Sequence, residues 1–125
     1  MQLKSKTLTG VVQPLSVVDR MLRAQGFRRV GAEQTPVYDV VIYDSATNSS
    51  YFLRIPTSIT QGFSGKGEIT VKIGHPYLEA KILLQGSEEH FTIPPAIKRA
   101  AEHKLAEIAD YLVSSSPPSV TPETT

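Results

Sequence analysis

Arg54, Lys72 and His75 are the residues of this chain whose types and placement could do chemistry together. Two cations and an imidazole on neighbouring strands could orient an anionic substrate, with His75 as acid or base. The competing reading is structural. Asp39, Arg54 and Lys72 are charged residues inside apparent strands, and side by side they would form a cross-strand ion pair on one sheet face. His75 has the parity of Ile69, Val71 and Ile73 but sits between Gly74 and Pro76, so a bond to nearby backbone is the preferred reading over a ligand or general base.

The other reactive residues do not assemble into known chemistry. His75, His90 and His103 lack the close spacing of metal ligands on one element, so no metal and no cofactor is expected. The chain has no cysteine, which excludes disulfides, thiol nucleophiles and cysteine-ligated zinc or iron–sulfur clusters. Gly62-Phe63-Ser64-Gly65-Lys66-Gly67 superficially resembles a phosphate loop. Its spacing is wrong, and it runs into a strand where a phosphate loop needs a helix N-terminus. Ser64 lacks the strand-to-helix elbow of a nucleophilic serine. The adjacent Arg28 and Arg29 invite a phosphate-binding reading, but a solvated strand or loop after a helix accounts for them.

A chain of 125 residues suits one domain, and its formal charge of +1 gives no global reason to bind nucleic acid or an anionic membrane. The start MQLKSKTLTG lacks the apolar core of a signal peptide, and no apolar run approaches the roughly 20 residues of a membrane span. A cytoplasmic protein is expected.

The elements that must position Arg54, Lys72 and His75 follow from periodicity. A short edge strand is expected over 7–12, ended by Pro14, then a helix over 17–25 with Ser16 as N-cap and Gly26 as left-handed C-terminal cap. Val37–Asp44 and Tyr51–Ile55 read as a hairpin around an Asp/Ser/Asn-rich loop, with Pro56 ending the second strand because it cannot donate to a ladder. A glycine-containing connection is expected over 57–67, strands over 69–73 and 77–84, a turn over 85–89 and an extended piece over 90–93. Ile97, Ala101, Leu105, Ile108 and Leu112 recur at intervals of three and four, predicting a helix over 95–113. Residues 1–113 therefore read as a single α+β domain: an antiparallel sheet of four to five strands, with a short N-terminal and a long C-terminal helix on one face. Residues 114–125, rich in Ser, Pro and Thr, read as a disordered tail.

Val41, Tyr43 and Phe52 fall on the sheet face opposite the helices, and an apolar face there needs cover. The N-terminal segment could supply it. A symmetric second copy is the preferred expectation.

Leu8-Thr9-Gly10, Met21-Leu22…Gly26-Phe27, Tyr38-Asp39, the segment YFLRIP over 51–56 and the segment VKIGHPYL over 71–78 together resemble the YugN-like family of small Bacillus-type bacterial proteins. The resemblance covers about residues 8–112. It implies a compact α+β fold and a cytoplasmic bacterial protein, and it supplies no mechanism, because the family has no established biochemical function. The family's aromatic, Trp-containing approach to the first hairpin is replaced here by Gly31-Ala32-Glu33-Gln34.

Two functions follow as expectations. One is a non-enzymatic cytoplasmic binding or interaction domain acting as a homodimer through Val41, Tyr43 and Phe52. The other is a small enzyme or ligand-binding protein for an anionic substrate, using Arg54, Lys72 and His75. No nucleic-acid or membrane partner is expected, and the protein or small molecule bound is not identified by any motif.

Overall fold

In chain order the elements are β1 (Val12–Pro14), α1 (Leu15–Ala24), β2 (Arg28–Val30), β3 (Val37–Asp44), β4 (Ser49–Gln61), β5 (Thr70–Ile73), β6 (Tyr77–Ala80) and α2 (Pro95–Ser114). The structure, a computed structural model, describes residues 3, 8–31, 35–61, 69–80 and 93–114. The sheet runs β1-β5-β4-β3-β2 with β6 also paired to β4, and every pairing is antiparallel. With helices at α1 and near the C-terminus, this is the expected α+β class.

β4 is longer than its sequence suggests. Pro56 does not end the strand, which continues to Gln61. The reason lies in the direction of the backbone groups. A strand residue turns its N–H and C=O to the same side, and Pro56 turns toward the β5–β6 edge, where its carbonyl accepts from the Gly74 amide at 2.8 Å. β5 and β6 lie end to end along that edge, and Gly74, His75 and Pro76 interrupt them opposite Pro56. The missing proline N–H therefore falls where the ladder is already broken. Gly74 suits the site, because a Cβ there would come within 3.2 Å of Pro56 Cγ.

Other boundaries also move. The first strand lies at Val12–Pro14, not over 7–12, with Leu8–Gly10 forming a turn before it. Pro14 is tolerated because β1 is the edge strand. Helix α1 begins at Leu15 with Pro14 at its N-cap position and no side-chain cap bond, so Ser16 lies inside the first turn and is not the cap. Here the β1 pairing sets the entry to the helix: Leu15 N–H donates to the Ile69 carbonyl at 2.7 Å. Gly26 ends α1 as expected, at φ +91°, a conformation L side chains rarely adopt. Residues 57–61, expected in a connection, belong to β4. The glycine segment over 62–67, the strand over 81–84, the turn over 85–89, His90 and the tail from 115 lie outside the described residues.

Alternation on the strands and the helical stripe meet in one core. Tyr38, Tyr51, Leu53, Ile55, Val71, Ile73 and Leu78 are buried from the sheet, Val18 and Leu22 from α1, and Ile97, Ala101, Leu105, Ile108 and Leu112 from α2. Each large aliphatic side chain so buried stabilises the fold by about 1.5–3 kcal/mol before entropy. Gln13 is the polar exception on β1, buried, with its Nε2 donating to the Leu112 carbonyl at 3.2 Å. That carbonyl lies in the last turn of α2, where helices leave acceptors without intrahelical partners. Replacing Gln13 by Ala is expected to lower the unfolding free energy by about 1–3 kcal/mol. Urea denaturation monitored by circular dichroism measures the loss, with native secondary structure retained.

Candidate functional site

The register brings one row of side chains together on the face away from the helices. Arg28 pairs with Asp39, Asp39 with Arg54, and Arg54 with Tyr77, across β2, β3, β4 and β6. Asp39 is the pivot. Its side chain is only 2% exposed, with Arg28 Nε 3.2 Å from Oδ1 and Arg54 Nε 3.5 Å from Oδ2. The first contact is a hydrogen bond; the second lies at ion-pair distance, outside hydrogen-bonding geometry. Arg54 directs its Nη1 instead to Glu79 Oε1, a diagonal neighbour, at 2.8 Å. Its guanidinium carbon also lies 4.8 Å from the centroid of the Phe52 ring, within cation–π range.

The arrangement decides which sequence-level residues meet. Arg54 is engaged by Asp39, Glu79 and Phe52. Lys72 is exposed and lies opposite Ser58, four residues beyond Arg54 on β4, a displacement of roughly 13 Å along a strand. His75 is exposed in the β5–β6 connection. The cross-strand pair between Asp39 and Arg54 forms, and Arg28 and Glu79 complete the row. Neither pairing carried a local signal: a diagonal contact and a pairing across a short edge strand are visible only once register is known.

Beyond Arg54 the same face turns apolar. Val41 stands opposite Phe52, and Val41 and Tyr43 are 46% and 57% exposed, while Phe52 is half-buried. The hairpin beyond them is held by Asp44, whose Oδ1 accepts from the Ala46 amide at 3.1 Å and Oδ2 from the Thr47 hydroxyl at 2.8 Å. Tyr43 donates its hydroxyl proton to Asn48 Oδ1.

A second polar cluster joins α1 to the sheet on the helix side. Tyr38, buried on β3, donates to Asp19 Oδ1 at 2.7 Å, and Arg23 Nε donates to Asp19 Oδ2 at 2.8 Å. Burial pushes the Asp19 pKa up, but the bonds from Tyr38 and Arg23 and the charges of Arg23 and Arg29 together outweigh it, so the carboxyl titrates below its ordinary value. Tyr38 titrates well above the usual phenol range, through burial first and then the bond to Asp19 and its charge. Tyr51 is raised by burial and by the charge of Asp44. Among the described residues, no group of three or more His, Cys, Asp or Glu side chains could hold a metal ion. None of the described helices is long and apolar enough to cross a membrane.

These features define a small α+β protein with both helices on one face of an antiparallel sheet and a charged-to-apolar second face. The chain has the fold seen in the crystal structure of uncharacterized conserved protein YugN from Geobacillus kaustophilus HTA426, with a TM-score of 0.74 over 92% of this chain and 98% of that one. Sequence identity is 17%, so the likeness is one of fold, in agreement with the resemblance carried by YFLRIP and VKIGHPYL. No protein-family model and no curated protein matches the chain in sequence.

Removing the pivot of the row is expected to be costly. Asp39→Ala leaves Arg54 partly buried beside a lost counter-charge and should destabilise by about 3 kcal/mol, the lower end for a buried pair because Arg28 is largely exposed. Glu79→Gln, at an exposed partner, should cost at most about 1 kcal/mol; chemical denaturation of both variants measures the contrast. In alkaline spectrophotometric titration Tyr38 and Tyr51 should ionise above the ordinary phenol value. Because its folded pKa is raised, the Tyr38 contribution is fully present below the unfolded value near 10 and lost as pH rises through the folded one. The depressed Asp19 contributes above its unfolded value near 3.8, and that contribution is lost as pH falls through the folded value. Tyr38→Phe should weaken both dependences.

Proposed function

We propose that the chain is a non-enzymatic, cytoplasmic binding or interaction domain that acts as a homodimer, with the Val41, Tyr43 and Phe52 face buried between subunits. The observation that carries this reading is the exposure of Val41 and Tyr43, at 46% and 57%, beside half-buried Phe52 on the face that carries neither helix. Apolar side chains gathered on one exposed sheet face favour a macromolecular partner over solvent. A second copy is the partner every solution of the protein supplies, and two-fold symmetry is its commonest arrangement.

The charged row supports the same reading. Arg54 has its partners within its own chain and lies over Phe52, so the polar end of the face is internally neutralised and its apolar end is left for contact. An anion site at Arg54, Lys72 and His75 would have to draw Arg54 away from Glu79 and Asp39.

Sedimentation velocity tests the reading. A dimer is expected at micromolar concentration, with Val41→Asp shifting it to a folded monomer by setting an unpaired charge in the contact. A wild-type protein that remains monomeric at high micromolar concentration would overturn it.

A further inference from the structure

We propose that the second copy docks by extending the sheet: β3 pairs antiparallel with β3 of another chain about a two-fold axis at Tyr43. The inference rests on the dimeric reading above and places the contact at the edge of β3, next to the Val41 and Tyr43 side chains.

The backbone of β3 carries the argument. Thr57 N–H donates to the Pro36 carbonyl, and the β3–β4 register is unbroken from Val37 to Asp44. Even-numbered residues of β3 therefore turn their amides toward β4, and odd-numbered residues turn theirs to the other side. On that side β2 is only three residues long and pairs with Val37, Tyr38 and Asp39. The N–H and C=O groups of Val41 and Tyr43 are left facing outward, with no backbone partner among the described residues. Such an edge is usually blunted by lysine, proline or a bulge. The open stretch Val40-Val41-Ile42-Tyr43-Asp44 has none of these.

Sterics select the register. The turn out of α1 sits beside Val40, since a Cβ on Gly26 would lie 3.9 Å from Val40 Cγ2. A two-fold axis at Ile42 would drive a second copy's Asp44 opposite Val40 and into that turn. Moving the axis one residue outward, to Tyr43, clears it. The two Tyr43 residues then exchange both of their N–H···O=C bonds, while Val41 faces a second copy's Ser45 and Ile42 a second copy's Asp44. No like charges stand opposite each other. Both Tyr43 side chains land side by side on the second face, so edge pairing buries part of each Tyr43 against its symmetry mate.

The chain has no cysteine, so one introduced thiol reports on one position. Residues directly opposite in a hydrogen-bonded antiparallel pair have Cα atoms about 5.5 Å apart, inside disulfide range. Tyr43→Cys should therefore form a disulfide-linked dimer under mild oxidation. Val41→Cys should not, its own symmetry mate lying four residues away along the strand pair, roughly 13 Å. As a second variant, Val41→Pro deletes an outward N–H while leaving the β3–β4 ladder intact, as proline on an edge does. It should keep its circular dichroism spectrum and weaken dimerisation roughly tenfold or more, since the two-fold axis loses the bond twice. A wild-type dimer in which Tyr43→Cys does not cross-link and Val41→Pro dimerises undiminished would overturn edge pairing and leave a face-to-face dimer standing. A monomeric wild type would overturn both.

Discussion

The fold depends on β4 being paired along its whole length while containing a proline. It carries β3 on one side, and β6 followed by β5 on the other, so every other described strand reaches the core through it directly or through one neighbour. A central strand cannot lose a ladder donor without compensation. Here the loss is aligned with the Gly74–Pro76 interruption, and the Pro56 carbonyl is still satisfied by Gly74. The close approach at that point in turn favours glycine. Pro56 and Gly74, eighteen positions apart in the sequence, are two halves of one local solution.

From that alignment the two faces acquire different characters. The helix face collects the alternating apolar residues and closes over them with Val18, Leu22 and the α2 stripe. Among the described residues, its polar groups include Gln13, bonded to the end of α2, Thr57, whose hydroxyl donates to the Pro36 carbonyl, and Tyr38, bonded to Asp19. The second face holds a buried carboxylate between two arginines, one of them tied onward to Glu79. An ion network in that position adds little net stability compared with apolar packing, but it strongly penalises any slip in register, because a displaced Asp39 would be left buried and unpaired. The row therefore holds β2, β3, β4 and β6 in alignment, and it leaves Val41 and Tyr43 as the part of the face turned outward.

Much of the architecture was legible locally. Period-two alternation located β3, β5 and the first half of β4, and a stripe at intervals of three and four located α2 almost to the residue. Gly26 marked the end of α1 because a positive φ was needed there. The misreadings share a cause. Pro56 and Pro14 carry strong local rules against strand structure, and in both cases the pairing context removed the penalty: a gap opposite one, an edge position for the other. Ser16 had the right chemistry for a cap, but β1 runs directly into α1 and displaces the helix start.

By itself, the sequence determined the α+β class, the composition of the core, the helical stripe and the exclusion of thiol chemistry, because these follow from residue type and spacing along the chain. Tertiary structure alone decided which charges met. Asp39 and Arg54 could be suspected of pairing, but Arg28, Glu79 and the Tyr38–Asp19 bond depend on strand order, register and helix docking, which are properties of contacts between distant segments. It also decided that Val41 and Tyr43 turn their backbone groups away from β4, past the end of the three-residue β2, where no described residue pairs with them.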